Sequence, residues 1–230
     1  MRRTGEVDQH TRPASQIAPN NMAWAAFPPS KLYFHMGGTS MATPLTAGAV
    51  ALLREYFRRK MKVTKPTAAL LKAALITGAT RLSGYAPKGA LVDNHQGYGR
   101  VNIDAVLSPP KPATTQFLEV KPGLSTGEVH TSEVKVKSGG VPLRVTLAYS
   151  DYPGPSLVNN LNLLVNAPDG KTYVGNQKAG GPMTFDVRNN VEVVHVQIPV
   201  AGTWRIQVVG SNIPQGPQGF ALVYIGHLEE

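Results

Sequence analysis

The chain has 230 residues, 42% of them hydrophobic and 16% charged, with 23 glycines and 19 prolines; this excludes a disordered polymer and points to a turn-rich globular protein of one large or two modest domains. It contains no cysteine, which excludes disulfides and thiolate metal centres. The net charge of +9 raises the question of a nucleic-acid partner, but the basic residues are dispersed and no aromatic ladder accompanies them, so neither nucleic acid nor, with no run of ~20 apolar residues, a membrane is expected as a partner.

Residues 1 to about 35 mix Arg, Gln, Asn and Pro without helical or strand period and read as loop. After Met1, Arg2 and Arg3 the chain turns polar, without the apolar core of an export signal. From Ser40 to about Arg59 the composition predicts a helix, with Leu45, Gly48, Ala49, Leu52 and Tyr56 on one stripe and Pro44 confined to the first turn. The one tight basic group, Arg54, Arg58, Arg59, Lys60, Lys62 and Lys65, falls at its C-terminal end, where cations complement the helix dipole.

A second helix is predicted from about Pro66 to Thr77, capped by Thr64 and stopped by Gly78. Gly97 to Asn102 reads as a turn into a short helix ending near Leu107. Ser108 to Pro112 holds three prolines in five residues and marks a domain boundary, giving domains at 1–108 and 113–230 joined by a linker at 109–112.

Beyond the linker the period becomes two. Leu143, Val145, Leu147 and Tyr149 alternate with Arg144, Thr146, Ala148 and Ser150, as in a strand with one buried face. Leu161 to Val165 and Lys171 to Val174 flank the turn Pro168-Asp169-Gly170, and Val191 to Ile198, Thr203 to Val209 and Phe220 to Ile225 complete the set. Short strands with frequent turns predict an all-β sandwich or jelly roll, with Trp204 and Tyr149 in its core.

Gly37-Gly38-Thr39-Ser40-Met41-Ala42-Thr43-Pro44 precedes the Ala-rich helix directly and sets a serine at a helix N-terminus. Unpaired N–H groups and the positive dipole end there favour negative charge on the serine oxygen and on an oxyanion formed as it attacks a carbonyl. The same placement also serves an ordinary N-cap, so spacing alone leaves both roles open.

Gly38-Thr39-Ser40-Met41-Ala42-Thr43-Pro44 resembles the nucleophile motif of subtilisin-like serine proteases. Leu71 to Ile76 and Gly97 to Asn102 are similar to the segments C-terminal to the serine in that family. Leu157 to Leu163, Pro168 to Gly170, Tyr173 to Asn176 and Arg188 to Glu192 resemble the C-terminal β-barrel of alkaline, oxidatively stable subtilases.

The resemblance implies an incomplete α/β catalytic part, mainly helical, followed by the β-domain. It implies an endopeptidase acting on protein or peptide substrates, with Ser40 as the nucleophile and Gly38 and Thr39 shaping the approach of substrate. The family's Asp, His and oxyanion Asn motifs lie well upstream of the serine. Asp8, His10, His35, Asn20 and Asn21 do not resemble them, so the chain alone is expected to be inactive and to pair with a missing N-terminal part of the catalytic domain.

Relatives with this β-domain bind calcium and are mostly secreted. By resemblance the calcium ligands here are Asp151, Asn160, Asn162 and Asp186, although Asn160 and Asn162 stand where acidic residues are common; the same side chains also suit turn capping. No organic cofactor is expected. The alternative function is a non-catalytic secreted β-domain that stabilises or binds.

Overall fold

A computed structural model describes residues 23–25, 34–36, 38–83, 92–93, 95–177 and 181–229, the first two stretches by their backbone. The chain divides into two compact units, one within Met1–Thr64 and Gly78–Ile103, the other formed by Lys65–Thr77 and Asp104–Glu230.

In the first unit, strands β1 (Ala23–Ala25) and β2 (Phe34–Met36) pair antiparallel, and helix α1 runs over Thr39–Arg59. Leu53 and Phe57 are wholly buried, one turn apart on the same face. Leu45 and Leu52, from the stripe expected to form the apolar face, are instead 47% and 56% exposed. Pro44 is the sixth residue of the helix, past the first turn, so the Ser40 carbonyl has no i+4 amide to accept from.

Gly97 to Asn102 forms the expected turn, and the short helix that follows it ends at Leu107. Thr80 and Arg100 exchange main-chain hydrogen bonds of 2.9 and 2.8 Å, and Gly99, at φ +123°, lies so close that a Cβ would meet the Thr80 carbonyl oxygen at 2.5 Å. That short helix, α3, occupies Asp104–Leu107 in the second unit.

The second unit is mostly β. Its strands are β3 (Thr114–Leu124), β4 (Val129–Val136), β5 (Leu143–Tyr149), β6 (Asn160–Asn166), β7 (Thr172–Val174), β8 (Val191–Val196), β9 (Gly202–Asn212) and β10 (Gln218–Gly226). They form two four-stranded antiparallel sheets, ordered β3-β10-β5-β8 and β4-β9-β6-β7, which remain separate rather than closing into a barrel. Period-two alternation sends Leu143, Val145, Leu147 and Tyr149 of β5 and Phe220, Leu222 and Tyr224 of β10 into one core with Leu161, Leu163 and Val165 of β6 and Trp204, Ile206 and Val208 of β9. Each such aliphatic side chain contributes on the order of 1.5–3 kcal/mol on burial. Trp204 is fully buried, with its indole N–H donating to the Val200 carbonyl at 2.9 Å.

Helix α2 (Ala68–Thr77) packs on β5 and β10, in the same unit. Ala69, Leu70, Leu71, Ala73, Ala74 and Leu75 are all buried. This corrects the expectation of one buried face for β5: Thr146 and Ala148 are as fully buried as Leu143, Val145 and Leu147 in the core, because the helix covers their side of the sheet. The helix cap is Thr67 rather than Thr64; its hydroxyl accepts from the Leu70 amide at 3.2 Å.

Candidate functional site

Ser40 is the second residue of α1 and is exposed. The residue that caps the helix is Gly38, whose φ of 149° and ψ of −178° favour glycine. Its carbonyl accepts from the amides of Met41 at 3.2 Å and Ala42 at 3.1 Å, with no side-chain cap. The Ser40 hydroxyl is therefore not consumed as an N-cap, and it has no hydrogen-bond partner among the described residues. Thr39 is exposed too, with its carbonyl accepting from the Thr43 hydroxyl at 2.9 Å.

No acidic side chain lies in the first turn of α1, so no fixed negative charge there opposes an anion at the N-terminal end. A hydroxyl in this position can attack a carbonyl once a base removes its proton. The side chains of Asp8, His10, Asn20, Asn21 and His35 lie outside the described residues.

Of the four expected calcium ligands, the two carboxylates each accept several N–H groups. Both Asp151 oxygens accept main-chain N–H groups, from Tyr152 and Asn159 at 2.9 Å and from Val158 at 2.7 Å. The Asp186 carboxylate accepts the side-chain amides of Asn176 and Asn189, each at 2.7 Å, and the main-chain amides of Arg188 at 2.8 Å and Asn189 at 3.1 Å. Burial works against this carboxylate, but the four donors outweigh it and hold its pKa below the usual range. Both carboxylates are thus engaged in ordering their own loops.

Asn160 and Asn162 do come together, and Asn162 is wholly buried. Its side-chain nitrogen donates to the Asp186 main-chain carbonyl at 3.0 Å and to Glu192 Oε1 at 3.1 Å, and its oxygen accepts from the Ser211 hydroxyl at 2.7 Å.

Glu192 was not anticipated from the sequence. It is wholly buried on β8, and its Oε2 accepts from the Leu163 amide of β6 at 2.7 Å, which ties one sheet to the other. Gly175 makes the room, since a Cβ there would stand 2.1 Å from Glu192 Oε2. Burial pushes the Glu192 carboxyl up to about 8; the Leu163 amide opposes the shift and the Asp186 charge adds to it. The one signal available was a carboxylate set among valines in Val191 to Val196.

Among the described residues no three His, Cys, Asp or Glu side chains cluster as a metal site.

The chain is 28% identical to the serine protease/ABC transporter B family protein tagD of Dictyostelium discoideum, over 82% of this chain and 14% of that protein. It is 28% identical to tagB of the same organism and description, over 96% of this chain and 15% of that protein. The chain thus spans about a seventh of the length of these relatives. A solved structure of the Aeromonas hydrophila periplasmic inhibitor of g-type lysozyme aligns with 52% of this chain and 90% of its own at 16% identity and a TM-score of 0.31. Residues 15–99, which include Ser40 and α2, match the Subtilase family.

Proposed function

We propose that the chain is the nucleophile-bearing part of a subtilisin-like serine endopeptidase, in which Ser40 attacks the peptide carbonyl to give an acyl-enzyme. The observation that carries this reading is the exposed, uncapped Ser40 hydroxyl at the start of α1, within the segment that matches the Subtilase family. Gly38 and Thr39 shape the substrate's approach, and the Ser40 amide at the helix N-terminus supplies one oxyanion donor. The general base, its orienting carboxylate and the second oxyanion donor come from sequence outside this chain, so the chain alone is inactive. Loss of the base from a triad is worth on the order of a millionfold in kcat, a figure measured on subtilisin itself.

A fluorophosphonate probe tests this, because only an activated serine reacts. The 230-residue chain should not label, while the chain extended upstream by the corresponding segment of its relatives should label at Ser40 and lose the label in Ser40→Ala. No labelling of a folded extended protein would remove Ser40 as nucleophile. Ser40-dependent labelling of the short chain would place the base within it.

The second reading, a stabilising role for the β-unit, rests on α2. This helix falls inside the family-matched segment yet buries its apolar residues on β5 and β10. In order of the eight strands from β3, the sheets read 1-8-3-6 and 2-7-4-5, which supports a jelly-roll assignment for the unit. A secreted location remains part of the proposal and rests on the family resemblance.

A further inference from the structure

We infer that the C-terminal end of α1 is a docking surface for an acidic segment of another protein, a short run of carboxylates held by Arg54, Arg58, Arg59, Lys60 and Lys62. All five cations are exposed and lie in the first unit. The one acidic residue among them, Glu55, pairs with Arg59 at 3.0 Å. Arg54, Arg58, Lys60 and Lys62 have no carboxylate at salt-bridge distance among the described residues.

Two independent observations set this cluster apart from a helix end that merely complements its dipole. The dipole acts within the last turn, which holds Arg58 and Arg59. Arg54 lies a turn earlier, four residues before Arg58, where like charges destabilise a helix, and Lys62 lies beyond the helix end. The second observation is in the backbone: Lys62 has a φ of +59°. This conformation lets the Val63 amide turn back and donate to the Phe57 carbonyl at 2.9 Å. Glycine adopts it freely and is the usual residue after a helix end, whereas lysine strains it. Such strain persists where a side chain serves something other than the fold, and here that side chain is a cation beside four others.

The size and composition of the surface choose the partner. Arg54 to Lys60 covers about 9 Å of helix at about 1.5 Å per residue, the length of about three residues of extended chain. Arginine forks take carboxylates and phosphates alike. A nucleic-acid duplex, however, is held by roughly six to ten phosphate contacts, and single strands stack on exposed aromatic rings. Within residues 54–62 Phe57 is wholly buried and Tyr56 half-buried. A membrane surface calls for several apolar side chains inserted beside the cations, and within the same residues Met61 is the one large apolar side chain exposed. A short run of carboxylates needs neither.

The surface lies apart from Ser40, which precedes Arg54 by about 21 Å of helix, so the proposal does not rest on the protease reading. A fluorescein-labelled octaglutamate peptide is titrated into the purified full chain and followed by anisotropy at about 0.1 M salt, where the Debye length is about 10 Å. Phosphatidylserine-rich vesicles and a mixed-sequence DNA duplex are titrated alongside. The expected result is saturable peptide binding, weakened roughly tenfold or more in Arg54→Ala/Arg58→Ala. It should be unchanged in Lys135→Ala/Lys137→Ala, which removes the same net charge from exposed positions of the second unit. Lys62→Gly should weaken binding several-fold while raising the Tm, because it removes the charge and the strain together. Absence of saturable binding overturns the proposal, as does Lys62→Gly binding like wild type. Equal loss in Lys135→Ala/Lys137→Ala overturns it in favour of diffuse charge. Tighter binding of vesicles or duplex, sensitive to the same two arginines, overturns it in favour of a phosphate-bearing partner.

Discussion

The hydroxyl oxygens of Thr77 and Thr146 lie 2.8 Å apart, joining the last residue of α2 to the middle of β5 in a region that excludes water. Thr77 Oγ1 is also 2.8 Å from the Ala73 carbonyl, which can only accept. The single Thr77 proton therefore goes to Ala73, and Thr146 donates to Thr77. Thr77→Val should strand the buried Thr146 hydroxyl and cost about 1–3 kcal/mol, whereas Thr146→Val should cost less because Thr77 keeps its carbonyl. Urea unfolding of both variants checks the order; equal losses would refute the assigned direction.

Gly123 shows where backbone conformation governs the sandwich. It has a φ of +111°, and a Cβ there would stand 1.9 Å from the Gln218 carbonyl oxygen on the neighbouring strand β10. The obstacle is backbone, which cannot rotate aside. Gly123→Ala should therefore destabilise the β-unit by roughly 3 kcal/mol or more, against about 1–2 kcal/mol for Gly127→Ser, where the glycine also has positive φ but faces open space, leaving only the backbone strain. Thermal unfolding of the pair separates the steric from the conformational effect; similar losses would mean the strand shifts to accommodate the methyl.

Asp93 makes the first unit acid-sensitive. Burial opposes its charge, but the amides of His95 at 2.7 Å and Gln96 at 3.0 Å and the Arg81 guanidinium at 2.7 Å prevail, holding its pKa below the ordinary carboxylate value. A folded pKa below the unfolded one gives stability that is present above the unfolded value of about 3.9 and is lost as pH falls through the folded pKa. The advantage of wild type over Asp93→Asn should thus be constant from about pH 5 to 7 and vanish on acidification below about 4. Local hydrogen exchange at Leu82 and Gln96 against pH measures it; a gap that widens in acid would show the reverse sign.

Much of the fold was legible because it is written in local period. Leu143 to Tyr149 alternates cleanly and forms β5 over those same residues, and the Ala- and Leu-rich run after Ser40 forms α1. Strands β3 and β4 went unrecognised. Pro122 and Gly123 interrupt the pattern of β3, which tolerates a proline because it lies at a sheet edge, and β4 carries apolar residues on its inward side only at Val134 and Val136. Thr67 was overlooked as a cap because Pro66 drew the predicted helix start too early.

The sequence by itself determined the helix that presents Ser40, the alternating strands and the resemblance on which the proposed role of the serine rests, since each depends on neighbours within a few residues. Tertiary structure alone decided which strands pair, that α2 belongs with the β-unit, and that Glu192 reaches Leu163, 29 residues away in sequence. A local pattern says that a face is apolar but not what will cover it. A carboxylate among valines acquires its chemistry only when another sheet arrives to desolvate it and supply its partners.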